Sequence, residues 1–277
     1  MKKQIKNNIY KLFVGLLIIS TLLLMNFLYK SSRNLNPLNE MNYYQLSDNL
    51  IGDVEKDFIS QENSEEILRN FYLRLEKMDE IYCQIHDQPI YIDNFKGNEI
   101  FYDGYENGVD PSEYGDNIQI KSIQINHQSY DYYNLFEYII GELFIENDFL
   151  YNGEYIPVFL GYDYNRYYGL GEEIESNYLT ADFTLRIIGF LEQDTSILNL
   201  KNNGEINLNR YIILPSLHFE ETFAVNSPTS FSFEEMHYLN LINGLIISDK
   251  PFVEIESNIE QITNEVNFPM PTIIHHK

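Results

Sequence analysis

The hydrophobic pattern of the chain begins with an uninterrupted apolar run near the N-terminus. From Leu12 to Tyr29 no residue carries a charge, and most positions are Leu, Ile, Phe or Val. As an α-helix this run would be about 27 Å long, close to the hydrocarbon thickness of a bilayer. Its large apolar side chains favour membrane insertion by roughly 4 to 7 kcal/mol before its polar residues oppose it. The pattern predicts a transmembrane helix at residues 12–29.

The residues that flank this run indicate its orientation. Four Lys precede the run, and only Lys30 and Arg33 follow it closely. Because positive charge stays inside, the N-terminus should be cytoplasmic and residues 31–277 extracytoplasmic, in a single-pass cell-membrane protein. A cleaved signal peptide is the alternative, since it shares the basic start and apolar middle. Such peptides usually have a shorter apolar core and end in small residues, whereas Tyr-Lys-Ser-Ser-Arg follows here.

Beyond a polar linker, the spacing of apolar residues changes repeatedly between helical and strand-like. Ser64 precedes an apolar set with three-and-four spacing that extends to Tyr82, which predicts a helix capped by Ser64. A second helix is predicted after Asp249 and Pro251, with its apolar face extending to Val266. Strand-like segments are predicted at 43–46, 89–93, 118–125, 156–161, 183–191, 210–214 and 244–248. This mixture predicts an α+β fold.

Charge is distributed very unevenly along the chain. The sequence holds 42 acidic and 18 basic residues, a net charge of −24, and residues 1–30 contain five Lys and no acid. Residues 31–277 therefore hold 13 basic and 42 acidic residues, a formal charge of −29. Such a domain lacks the clustered cations of a nucleic-acid binder. It should prefer basic over acidic peptides, with an affinity that falls as salt rises. The alternative is that the charge serves only to keep the domain in solution.

The sequence contains few residues that could form a chemical site. The one cysteine, Cys83, cannot form an internal disulfide and is predicted to be a small core residue. The strongest metal candidate is a calcium loop, in which Asp103, Asn107 and Gly108 occupy the first, fifth and sixth positions. Its third and twelfth positions are Tyr105 and Tyr114, so two oxygen ligands are missing and a solvated turn is the preferred interpretation.

Other pairs of polar residues are equally unspecific. A dinucleotide loop is not predicted because no third Gly follows Gly169 and Gly171. The adjacent His275 and His276 would point to opposite faces of a strand, and surface roles are expected for them. Paired carboxylates at Glu172-Glu173 and Glu234-Glu235 carry no specificity in so acidic a chain. We predict no enzymatic activity, no catalytic or metal-binding residues and no cofactor.

From residue 127 onward the chain carries a series of short motifs in a definite order. A strand leading to an apolar helix and acidic turn is followed by a Pro-Val-x-Leu-Gly strand, a Gly-x-x-Ile turn, further strands and a last helix. The positions of these motifs are Tyr132, Tyr133, Leu135, Gly141, Phe144, Asp148, Pro157, Val158, Leu160, Gly161, Gly171–Ile174, Phe183–Phe190, Arg210–Ser216 and Ile246–Val266. This order resembles the MacB-like periplasmic core domain of ABC transporter permeases, a family that includes the FtsX-like permeases. Each motif is only a few small and apolar residues, so their order carries the resemblance.

The resemblance implies one N-terminal transmembrane helix followed by a two-lobed extracytoplasmic domain with βαβ-like parts around the 65–84 and 251–266 helices and an inserted β-rich lobe. The expected boundaries are residues 1–30 for the tail and membrane helix, 31–43 for the linker, 44–138 and 236–277 for the first lobe, and 139–235 for the inserted lobe. Family permeases continue into three more membrane helices, whereas this sequence has neither a second apolar run of that length nor an ATP-binding loop. A truncated chain, a split permease half and a stand-alone relative remain open.

Two functional hypotheses follow from the resemblance. In the first, the domain does no chemistry and couples ATP-driven movement of membrane helices to a substrate, peptide or protein outside. Its partners would be the bilayer, through residues 12–29, further permease helices, a separate ATP-binding subunit and a basic peptide or protein ligand. In the second, the chain is a single-pass anchored extracellular binding protein that acts without an ATPase. An anchored glycosidase or peptidase is a third class, disfavoured because no site for it is evident.

Overall fold

A computed structural model of the chain describes residues 41–108, 118–179, 181–199, 204–219 and 231–276. The chain divides into a unit of residues Met1–Met41 and a unit of residues Asn42–Lys277. The predicted transmembrane segment at 12–29 lies outside the described residues. Within them, no helix is long and apolar enough to span a bilayer.

The unit from Asn42 onward combines helices and strands in one α+β fold, as predicted. The helices are α1 (Asp53–Ile59), α2 (Ser64–Glu76), α3 (His127–Tyr132), α4 (Phe233–Leu241) and α5 (Phe252–Val266). The strands are β1 (Asn42–Ser47), β2 (Ile81–Cys83), β3 (Ile85–Asp87), β4 (Ile90–Ile92), β5 (Gln119–Ile120), β6 (Ser122–Ile125), β7 (Ile139–Gly141), β8 (Ile156–Leu160), β9 (Glu173–Tyr178), β10 (Ala181–Leu191), β11 (Ser196–Asn199), β12 (Gly204–Asn207), β13 (Ile212–Pro215), β14 (Leu245–Ser248) and β15 (Thr272–His276).

A four-stranded sheet in the order β15-β1-β14-β2 is built from the two ends of this unit. Every pairing in it is antiparallel, so β1 runs parallel to β2 and β14 runs parallel to β15. The chain runs from β1 to β2 through α1 and α2, and from β14 to β15 through α5. In the sheet, one antiparallel strand lies between the two members of each parallel pair. These are two split βαβ units in the ferredoxin-like strand order. We call this sheet with α1, α2 and α5 the small lobe.

The core of the small lobe follows from the spacing of apolar residues in its helices. In α2 the buried side chains recur every three or four residues, and in α5 Ile255 and Ile259 are completely buried. They pack with Tyr44 and Leu46 of β1, while Phe71 of α2 stacks on Phe268 at 4.3 Å between ring centroids. The predicted helix is present as α2, but Ser64 is its first residue and not its N-cap, which is Asn63, and the helix ends at Glu76. The apolar residues beyond it instead form β2, because there they pair with β14.

The second sheet has nine strands among the described residues, and all of them lie between β2 and β14 in the sequence. Its order is β3-β6-β13-β8-β10-β9-β4-β5, and β7 pairs with the end of β10. In β10, exposed or half-buried residues alternate with buried ones over much of its length, as expected for a strand with one face against a core. We call residues 84–219 the large lobe. The sequence places the inserted lobe at 139–235, whereas in the structure strands on both sides of residue 139 belong to this one sheet.

A close backbone approach fixes the end of β8, where the Pro-Val-x-Leu-Gly motif ends. The Gly161 N–H donates to the Tyr211 carbonyl at 2.9 Å. A Cβ at Gly161 would overlap the carbonyl oxygen of Leu208 and lie 2.5 Å from the carbonyl carbon of Asn209. Glycine is therefore required here by space, since its φ of −61° suits any residue.

Candidate functional site at the junction of the two lobes

The chain passes from the small lobe to the large lobe through one residue. β2 ends at Cys83 and β3 begins at Ile85, so only Gln84 separates strands of different sheets. Gln84 is completely buried. Because a buried backbone needs hydrogen-bond partners, this crossing requires polar groups around it.

Asn126 supplies most of those partners. It caps α3, and its Oδ1 accepts from the backbone N–H groups of Ser129 at 3.1 Å and of Gln84 at 3.2 Å. Its Nδ2 donates to the Tyr82 carbonyl at 2.8 Å, in β2. The Ser129 hydroxyl donates to the Gln84 carbonyl at 3.0 Å. The completely buried amide of Asn126 thus joins β2 of the small lobe to α3, the helix that follows β6 of the large lobe.

The chain leaves the large lobe close to the point where it enters. After β13, the Ser216 N–H donates to the Ile125 carbonyl at 2.9 Å, and its hydroxyl lies 2.5 Å from Oε1 of Gln84. Two residues on, Nε2 of His218 lies 2.7 Å from Oε2 of Glu76, the last residue of α2. Both crossings are therefore bonded to each other and to the small lobe.

Helix α4 fills the space between the two cores. Phe233 packs in the large-lobe core, whereas Tyr238 and Leu241 pack in the small-lobe core. The Ser232 hydroxyl accepts from the N–H of Glu235, and the Glu235 carboxylate accepts from the N–H of Ser232, which together form a capping box. The apolar spacing of the sequence does not predict this helix, although the Ser-x-x-Glu spacing is a recognisable helix start.

His237 faces the large lobe from α4 and is held neutral. Its Nε2 donates to the Leu217 carbonyl at 2.8 Å, and its Nδ1 lies 3.2 Å from the Tyr178 hydroxyl of β9. Its ring stacks on Phe233 and meets the edge of Phe219. Burial without water, opposed by the Leu217 hydrogen bond, lowers the pKa of His237 to about 3.

This shift predicts an acid-sensitive stability that depends on His237. Since the folded-state pKa lies below the ordinary 6.5, the unfolded chain takes up the proton first, and the stabilisation present above pH 6.5 is lost as the pH falls towards 3. The His237→Gln variant should be less stable at pH 7.5, but the gap should narrow by about 2 kcal/mol at pH 5. Urea unfolding of both proteins at the two pH values measures this. A gap that stays constant would contradict the assignment.

A cavity of about 260 Å³ lies beside the first crossing. Its walls come from the crossing strands, from the residue after α3, from the β11–β12 hairpin and from the start of β14. The lining residues are Cys83, Ile85, His86, Asp87, Tyr133, Leu198, Ile206, Asn243, Gly244 and Leu245. Both lobes contribute to the walls, so a change in their relative position would alter the cavity.

Two ionisable groups in the cavity wall, Cys83 and Asp87, have raised pKa values. Burial raises the pKa of the Cys83 thiol to about 12, although a hydrogen bond with Ser129 opposes this shift, so the thiol stays protonated and unreactive. At Asp87, loss of water and the nearby Asp103 carboxylate raise the pKa to about 6, while Lys121 opposes the shift. The Asp87 side chain still reaches solvent. At neutral pH the wall therefore presents an ionised carboxylate among mainly apolar side chains.

The candidate pairs from the sequence are engaged in structural contacts elsewhere. Glu172 pairs with Lys96 and accepts from the Gly169 N–H at 3.1 Å, in the turn before β9, which begins at Glu173. Glu235 accepts from the Ser64 hydroxyl at 2.5 Å, which links α4 to α2. Beside it, Glu234 is also buried. None of these carboxylates lines the junction cavity.

Neither the histidine pair nor Asp103, Asn107 and Gly108 of the calcium loop line the cavity, although the Asp103 carboxylate lies near Asp87. His275 lies against Tyr44 at 4.8 Å between ring centroids, and Nε2 of His276 lies 3.0 Å from Oε1 of Gln45. Asn107 and Gly108 end a short 3-10 helix at residues 105–107, and the later part of the loop, 109–117, lies outside the described residues. Within the described ranges, no three His, Cys, Asp or Glu side chains cluster as a metal site would require.

Comparison with known proteins gives structural similarity but no match in sequence. No family profile matches the sequence, and no curated protein matches it. Among solved structures, the chain is similar to the periplasmic region of MacB from Actinobacillus actinomycetemcomitans, with 13% sequence identity and a TM-score of 0.40. The match covers 85% of this chain and 88% of that one.

Proposed function

We propose that residues 31–277 form an extracytoplasmic domain of an ABC transporter permease-like membrane protein, which couples movement at the membrane to a substrate or partner outside. The proposal starts from the apolar run at 12–29, the acidic body and the motif order of the sequence. In this role the domain itself performs no chemistry.

One observation of the fold carries the proposal. The strands that begin and end the described unit are neighbours, with Tyr43 of β1 opposite His276 of β15. The crossing to the large lobe leaves from the other end of the same sheet, where Leu245 pairs with both Gln45 and Cys83. A domain held at its two ends would thus place the small lobe next to the membrane and the large lobe farther out.

This arrangement gives a physical route for coupling. A displacement at the ends of β1 and β15 passes through a short, hydrogen-bonded sheet to Cys83, Gln84 and Asn126. The junction is bonded at both crossings and packed around α4, so the large lobe would move with the small lobe as a body.

Recovery of partners from membranes tests the proposal. The full chain, tagged at its C-terminus, is cross-linked in native membranes, solubilised in mild detergent and purified, beside an unrelated single-pass protein with the same tag. We expect an ATP-binding subunit and a multi-helix membrane subunit in the first sample alone. Recovery of neither, with the chain still in the membrane fraction, would overturn the transporter role and favour the anchored binding protein.

A further inference from the structure

A short segment of the large lobe exposes several large apolar side chains together. It spans residues 136–150, and we call it the 136–150 surface. Ile140 is 58% exposed and Ile145 is 60% exposed. The exposed apolar members are Phe136, Ile140, Leu143, Ile145 and Leu150. A concentration of this kind in a soluble domain marks an interaction site more often than a chance exposure.

Aromatic residues between the exposed ones hold this segment in place. Phe144 and Phe149 are buried, and Phe144 packs on Phe159 of β8 at 4.0 Å between ring centroids. Phe144 also contacts Tyr130 of α3 at 5.5 Å. The segment is therefore anchored to the core on one side, and its outward side chains keep a fixed arrangement.

The same segment carries a sheet edge. β7 pairs with β10 through residues 139–141, and among the described residues no strand pairs with its other side. The Glu142 N–H donates to the Ile188 carbonyl, and the Glu192 N–H donates to the Tyr138 carbonyl. Because backbone groups alternate along a strand, those of Ile139 and Gly141 point to the outer side. Such an edge can accept another strand.

Charge indicates what kind of strand fits this edge. Between Lys121 and Arg166 the sequence has seven acidic residues and no Lys or Arg. Glu142 and Glu146 are exposed among the apolar side chains. A second copy of the chain would bring the same negative charge against itself, and anionic lipid would be repelled in the same way. A segment with both apolar and basic side chains would be attracted.

We propose that the 136–150 surface binds an extended segment of a partner protein, rich in apolar and basic residues, as an added strand on β7. Backbone groups at Ile139 and Gly141 would pair with it. Its apolar side chains would cover Ile140 and Ile145, and its cations would meet Glu142 and Glu146. The inference gives a surface and a chemistry to the partner-binding role proposed above, on which it rests, but its test does not depend on any ATPase.

Peptide binding to the full chain in mild detergent tests the inference. The probes are a fluorescent twelve-residue peptide of repeated Lys-Lys-Val-Val, which places both Lys and Val on each face of a strand, and its counterpart of repeated Glu-Glu-Val-Val. Fluorescence anisotropy should show binding of the Lys peptide alone, weakening severalfold when salt rises from about 50 to about 300 mM. Hydrogen exchange at the amides of Ile139 and Gly141 should slow about tenfold or more on binding.

Matched variants locate the binding. The Ile140→Asn/Ile145→Asn and Glu142→Lys/Glu146→Lys variants should each weaken binding about tenfold. The controls, Ile51→Asn/Val253→Asn and Glu256→Lys/Glu260→Lys, change exposed residues of the small lobe in the same way and should alter binding less than twofold. An equal loss of affinity in the Glu256→Lys/Glu260→Lys control would mean that net charge, and not the 136–150 surface, causes the binding. Absence of binding near 1 mM Lys peptide, equal binding of the Glu peptide, or unchanged exchange at β7 would each overturn the proposal.

Discussion

Replacing Asn126 by alanine should lower the free energy of unfolding by about 3 to 5 kcal/mol. The substitution removes the acceptor for the N–H groups of Gln84 and Ser129 and the donor to the Tyr82 carbonyl. All three lie at a completely buried junction, where water cannot replace the lost partner, and each unsatisfied group costs about 1 to 3 kcal/mol. Thermal unfolding of the full chain in mild detergent should show a decrease in Tm of roughly 10 °C.

Asn98 provides a matched control for this experiment. It also caps a helix, the 3-10 helix of residues 99–101, since its Oδ1 accepts from the Ile100 N–H at 3.4 Å, but Asn98 itself is exposed. Asn98→Ala should cost less than about 1 kcal/mol. If the two variants lost the same stability, Asn126 would act as a helix cap alone and would not hold the lobes together. Loss of the Lys peptide's binding is not expected in either variant, because β7 lies apart from the junction.

The Gly161→Ala variant should be destabilised by about 2 to 4 kcal/mol, the second largest effect that we expect. The added methyl group would meet the backbone of Leu208 and Asn209, which cannot turn away as a side chain would. Separating the two segments would stretch the hydrogen bond from the Gly161 N–H to the Tyr211 carbonyl. Urea unfolding, followed by far-ultraviolet circular dichroism, measures this loss of stability as a lower urea concentration at the midpoint of unfolding.

Gly169→Ala is the control for the methyl group itself. No atom lies within 4 Å of a Cβ built at Gly169, so this variant should be neutral or stabilised by about 0.5 kcal/mol through reduced entropy of the unfolded chain. Equal stability of the two variants would mean that the end of β8 and the 208–210 turn are less closely packed than described here.

Local elements could largely be predicted because their signals are local. The strand at β8 follows from its short apolar run and the helix α5 from the three-and-four spacing of its apolar residues, although no side chain caps α5. The predicted end of α2 was wrong by about two turns, because the apolar residues after Glu76 continue the helical spacing while their burial is provided by β14. Helix α4 was not predicted, because it contacts cores on both sides and carries only a weak amphipathic pattern. Its capping box, Ser232 with Glu235, is the local signal that could have identified it.

The junction could not be predicted from the sequence in the same way. Asn126 has partners at Gln84 and Tyr82, more than forty positions earlier, and no local pattern distinguishes it from an ordinary helix cap. The neutral state of His237 likewise depends on Leu217 and Tyr178, which reach it from other elements. The pairing of β1 with β15 brings together residues as distant as Asn42 and His275, 233 positions apart.

By itself, the sequence determined the apolar run at 12–29, the acidity of the body, the α+β composition and the absence of familiar catalytic motifs. These depend on composition and on neighbours within one or two turns of chain. Tertiary structure alone decided the ferredoxin-like strand order, the crossing at Gln84, the cavity beside it and the exposed edge at β7. The physical reason is that strand pairing and burial are decided by residues far apart in sequence, whose mutual contacts leave no periodic signal in either segment.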